Sequence, residues 1–65
     1  MAQTLYPGLE AILRAHGCEL IRQGKGSHEI WRSPLSNKHF SVPVTIKTKP
    51  TANAILRQAG IDQKI

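Results

Sequence analysis

The sequence predicts an α+β domain with its elements in the order α-β-β-β-α: one three-stranded antiparallel sheet with two helices packed on one face. Three observations predict it. Leu9, Ile12, Leu13 and His16 follow the i, i+3, i+4, i+7 spacing of one helical face. Three short runs between positions 18 and 44 alternate in polarity or carry β-branched and aromatic residues, and glycine and proline turns separate them. A second helical stripe, Ala52, Ile55, Leu56 and Ala59, follows near the end.

Each element has a local reason. Pro7 suits the first turn of a helix, where a missing N–H costs nothing, and Thr4 stands upstream as a candidate cap. Gly17 takes the place of a left-handed C-terminal residue, so the first helix is expected over about Pro7 to His16. The first strand is expected over Cys18 to Gln23, with Cys18, Leu20 and Arg22 on one face and Glu19, Ile21 and Gln23 on the other. Gly24 to Ser27 supplies a turn. The second strand, His28 to Ser33, sets His28, Ile30 and Arg32 against Glu29, Trp31 and Ser33. After a turn at Pro34 to Lys38, the third strand runs from His39 to Val44, and Pro43 marks a strand end or a sheet edge. Lys49 precedes Pro50 and is expected to stay extended, after which Thr51 caps the second helix. Gly60 stops that helix, Ile61 folds back in a Schellman-type contact, and the last four residues are expected to fray.

At 65 residues the chain is expected to be a single domain, 1–65. A domain of this size buries only ~60% of the surface its unfolded chain exposes, which favours a site on a loop or sheet face over a deep cavity. One cysteine, Cys18, excludes an internal disulfide and reads as small core filler. One Cys and three His at unrelated spacings make no zinc signature, so no metal or small-molecule cofactor is expected. No apolar run approaches a membrane span, and Met1 to Pro7 lacks the pattern of a signal peptide. The expectation is a soluble, cytoplasmic chain with no membrane role.

Nine Lys and Arg against four Asp and Glu give a formal net charge of +5 and a pI near 10.0. The basic residues are spread along the chain, so folding would place them over a surface suited to a polyanion, of which nucleic acid is the commonest. His28 stands where a glycine turn meets a strand, a place that exposes and positions a side chain. Lys25 is adjacent, Ser27 adds a hydroxyl, the N–H groups around Gly26 can point at a phosphate, and Arg22 is expected across the hairpin. Lys47 and Lys49 precede a helix N-terminus, a ready anion site. A histidine among cations and hydroxyls suits cleavage of RNA, whose 2′-OH is its own nucleophile and asks only for a base, an acid and cations. His39, at the start of the third strand, is a candidate second proton carrier or a plain surface residue. Trp31 is expected to be buried between sheet and helices, and Glu19 and Glu29 to be solvated partners of Arg or Lys. The same residues fit a non-catalytic RNA-binding module or a domain that sequesters an acidic protein. A DNA-binding role finds no helix-turn-helix pattern.

Gly24-Lys25-Gly26-Ser27-His28, the Val42-Pro43 pair and the run Thr51 to Ile61 together resemble the HicA family of toxins, over nearly the whole chain. The resemblance implies a double-stranded-RNA-binding-like fold and an mRNA interferase activity. It also implies a HicB-type antitoxin that covers the histidine of the Gly-Ser-His segment. The family's catalytic histidine falls on His28 and its preceding glycine on Gly26. Family members often carry a histidine soon after the Val-Pro pair, where this chain has Val44-Thr45-Ile46.

Overall fold

The computed structural model describes residues 4–65; the first three positions of the expected domain, and of the stretch read for a signal peptide, lie outside the described residues. The elements are α1 (Tyr6–Ala15), β1 (Glu19–Gln23), β2 (His28–Ser33), β3 (Lys38–Pro43) and α2 (Lys49–Gln58). The strands form one antiparallel sheet in the order β1-β2-β3. This is the α+β arrangement of the double-stranded-RNA-binding-like folds. No helix among the described residues is long and apolar enough to cross a membrane.

Both helices cover the same face of the sheet, and β2 shows which one. Its buried residues alternate as Glu29, Trp31 and Ser33. Tyr6 of α1 donates its hydroxyl to Glu29, Arg14 of α1 stacks its guanidinium 5.0 Å from the Trp31 ring centroid, and Ser33 donates to the carbonyl of Ala59 at the end of α2. Phe40 and Val42, paired across from Trp31 and Glu29, lie on that face too. With Leu9, Leu13, Ile46, Ala52, Ile55, Leu56, Ala59 and Ile61 they form the buried core, and Cys18 belongs to it. Each large aliphatic side chain removed from water there contributes about 1.5–3 kcal/mol.

The helix ends follow backbone chemistry. Gly17 has φ +84° and Gly60 φ +77°, the left-handed region that glycine enters without penalty. Behind them the N–H of Cys18 reaches Leu13 O (2.9 Å) and that of Ile61 reaches Leu56 O (2.9 Å), the six-to-one bond of a Schellman motif at each helix. At the start of α1, Leu5 is the cap residue and Thr4 Oγ1 accepts only a long bond from the Tyr6 N–H, 3.4 Å.

Four expectations need correction. The register shifts between Leu20, which opposes Trp31, and Arg22, which opposes Ile30. Ile21 is therefore the extra residue of a β-bulge, which changes the parity of the strand. Leu20 and Arg22 lie on opposite faces and not on a shared one. Second, Glu29 is not a solvated partner of Arg or Lys; it is buried, accepting from Tyr6 and from Trp31 Nε1 at 3.1 Å. Third, α2 begins at Lys49 with Thr48 as its cap residue, and Thr51 lies inside the helix. The preference of a pre-proline residue for extended backbone is outweighed by a complete first turn, in which the Ala52 N–H reaches Thr48 O. Fourth, the tail is tied back: the Ile65 N–H donates to Asn53 Oδ1 (2.8 Å), and Ile65 packs against the core.

Glu29 gives the fold a testable weak point. Burial first, then the hydrogen bond to Glu29 and the charge of that carboxylate, hold the Tyr6 phenol above its ordinary value near 10. Folding thus favours the neutral phenol, so this contribution is complete below pH ~10 and falls away as pH rises beyond it. Tyr6→Phe should lower stability in urea at neutral pH by about 1–3 kcal/mol, because it removes one of the two donors to a buried carboxylate. The variant should also lose part of the alkaline destabilisation that wild type shows above pH ~10.

Candidate active site

The alternation that buries Glu29, Trp31 and Ser33 turns His28, Ile30 and Arg32 to the other, helix-free face. On that face β3 contributes Pro43, Ser41 and His39, the register partners of those three residues. The bulge in β1 brings Arg22 to the same face, opposite Ile30.

His28 is held by the hairpin that precedes it. The Gly24 N–H donates to His28 O at 2.8 Å, and the His28 N–H donates to Lys25 O at 3.2 Å. Gly26, the first central residue of the turn from Lys25 to His28, has φ +64°, and Ser27 is not left-handed. That is the pattern of a type II′ turn, whose twist matches a β-hairpin and whose first central residue is glycine. The Val44 N–H donates to Ser27 O (2.9 Å), fastening the turn to the segment that leaves β3.

Around the turn lies an open depression of about 670 Å³, lined by Arg22, Gly24, Lys25, Gly26, Ser27, His28, Ile30 and Ser41. Arg22, Lys25, Ser27 and His28 are all exposed. The structure thus brings together His28, Arg22, Lys25, Gly26 and Ser27, five of the residues singled out in the sequence. It does not bring Lys47 or Lys49: both are exposed, Lys47 on the connection after β3 and Lys49 at the start of α2, and neither lines the depression. His39 is also apart. It pairs with Arg32, four residues along β3 from Pro43, the partner of His28, or ~13 Å at the rise of a strand. Among the described residues His28 is the one histidine in the lining.

Gly24, Ile30 and Ser41 complete the lining; the sequence reading placed Gly24 in the turn but named none of the three as a site residue. A Cβ on Gly24 would meet His28 O at 3.1 Å and Ile30 Cδ1 at 3.4 Å, so glycine keeps the floor open at that point. The alternation of β2 already put Ile30 beside His28. Ser41 was hidden, because its place depends on the β2–β3 register. The result is an imidazole, an ammonium, a guanidinium and hydroxyls around one open hollow, a set that can bind a phosphodiester and move one proton.

A family model described as "HicA toxin of bacterial toxin-antitoxin" matches residues 8–61. No curated protein and no solved structure matched the chain.

Two glycine substitutions should have opposite signs. Gly26→Ala meets no neighbour within 4 Å but forces a side chain into φ +64°, and should cost about 1–3 kcal/mol in thermal or urea unfolding. Gly8→Ala, in α1 with equally free space and no positive φ, should stabilise by about 0.5–1 kcal/mol.

Proposed function

We propose a ribonuclease mechanism on one premise: the chain belongs to the HicA toxin family, whose model covers residues 8–61. Membership makes it the toxin of a toxin–antitoxin pair. The activity we assign is cleavage of mRNA by an endoribonuclease that needs no metal, with His28 as its acid–base residue. The observation that carries this reading is the exposed His28 imidazole in a hollow shared with Lys25, Arg22 and Ser27.

The chemistry follows from RNA itself. His28 takes the proton of a ribose 2′-OH, and the 2′-oxygen attacks the adjacent phosphorus. The bond from phosphorus to the 5′-oxygen breaks, leaving a 2′,3′-cyclic phosphate on one fragment and a 5′-hydroxyl on the other. With a single imidazole in the hollow, water delivers the proton that the leaving oxygen takes up. Lys25, Arg22 and the N–H groups of the turn hold the phosphate oxygens as their charge grows. Lys47 and Lys49 contact phosphates farther along the strand. General-base help of this kind is worth roughly 10²- to 10⁴-fold.

The antitoxin, of HicB type, neutralises the chain by covering His28, so antitoxin and RNA compete for one surface. The action takes place in the cytoplasm, where mRNA is found.

His28→Ala tests the reading. The purified variant should keep its fold and its RNA binding while cleavage falls by about 10²- to 10⁴-fold. Undiminished mRNA degradation by the folded variant would refute the assignment; a wild type that binds RNA without cutting it would favour the non-catalytic module.

A further inference from the structure

We infer that Ile30 and Ser41 form a subsite for one unpaired nucleobase beside the scissile phosphate. The inference rests on the ribonuclease reading of His28. Ile30 is the next residue after His28 on the open face of β2, ~7 Å along the strand. That is the reach from a phosphodiester to the base of the same nucleotide. Ile30 opposes Arg22 of β1 on one side and Ser41 of β3 on the other. One row across the sheet therefore offers a guanidinium, an apolar side chain and a hydroxyl, and all three line the hollow that holds His28.

Each member has a use toward a base. Ile30 is half-buried, an aliphatic floor within a polar hollow, and Gly24 leaves its tip uncovered. The planar guanidinium of Arg22 can stack on a base or grip its phosphate. Ser41 is exposed, and among the described residues its hydroxyl makes no hydrogen bond within the protein, so it is free to read a base edge. The hollow, at about 670 Å³, has room for a nucleotide. A paired base does not fit this use: in a duplex its edge is engaged and its faces are stacked, and only an unstacked base can be laid on a sheet. The substrate is therefore RNA that is single-stranded at the cleavage point, although the fold resembles domains that grip duplexes.

The experiment uses the purified full chain and short RNA oligonucleotides in which the base beside a fixed junction is varied, each offered alone and annealed to its complement. Wild type should cut the single strands with a preference among the four bases and leave the duplexes intact. Ile30→Ala should raise KM about tenfold, with kcat largely kept and the preference flattened. Ser41→Ala should change the order of preferred bases without changing thermal stability. If Ile30→Ala fails to fold by circular dichroism, Ile30→Val and Ser41→Ala decide in the same terms. Absence of cleavage by wild type, or equal cleavage by His28→Ala, would break the ribonuclease reading beneath. Cleavage by wild type with KM and base preference unmoved in the folded variants, or equal cutting of duplex, would overturn the subsite itself.

Discussion

A carboxylate turned inward organises this molecule. Glu29 sits under α1 and accepts hydrogen bonds from the Tyr6 hydroxyl and the Trp31 indole. Removing a carboxylate from water is costly unless it is hydrogen-bonded, and here both donors converge on one of its oxygens, Oε1. A strand has a period of two, so a slip of one residue would expel Glu29, Trp31 and Ser33 and drive His28, Ile30 and Arg32 into the core. The contacts of the buried row therefore fix the orientation of the open row. His28 faces solvent because its neighbour Glu29 is secured on the other side.

That division separates stability from chemistry. The core lies between the sheet and the two helices, and the hollow around His28 lies on the opposite face. Arg22, Lys25 and Ser27 are exposed and add little to packing. A small domain can in this way carry a cationic, polar site without weakening a core that has little stability to spare. On the proposed reading, a neutralising partner covers the open face at the turn. Burying that surface would also add stability to the toxin by mass action.

Much of the fold was legible in the sequence, and the reasons are specific. The glycines at positions 17 and 60 marked helix ends because left-handed backbone selects glycine, and the Schellman bonds of Cys18 and Ile61 followed. The bounds of β2 were readable because its alternation is uninterrupted. In β1 the alternation carried no sign of the bulge at Ile21, and the five residues of that edge strand are all exposed, so no buried partner marks the face. The role of Glu29 was hidden because its donors lie at position 6, in another element, and at position 31, on its own strand; a carboxylate in a strand reads as solvated until both are in place. Lys47 and Lys49 were legible as cations before a helix start, but only the register and the path of the chain decide which cations line the hollow, and these two do not. His28, Lys25, Gly26 and Ser27 were legible because they are consecutive and a tight turn keeps them together.

The central claim is that the open hollow at His28 receives the scissile nucleotide. Nuclear magnetic resonance of the labelled chain, titrated with a single-stranded oligonucleotide made uncleavable by a deoxyribose at the junction, tests it most directly. The account predicts saturable shifts of the His28 imidazole and of the backbone from Gly24 to His28, extending to Ile30 and Ser41, with His39 and the outer faces of the helices little changed. Shifts gathered on α1 and α2 with the His28 ring unmoved would contradict it.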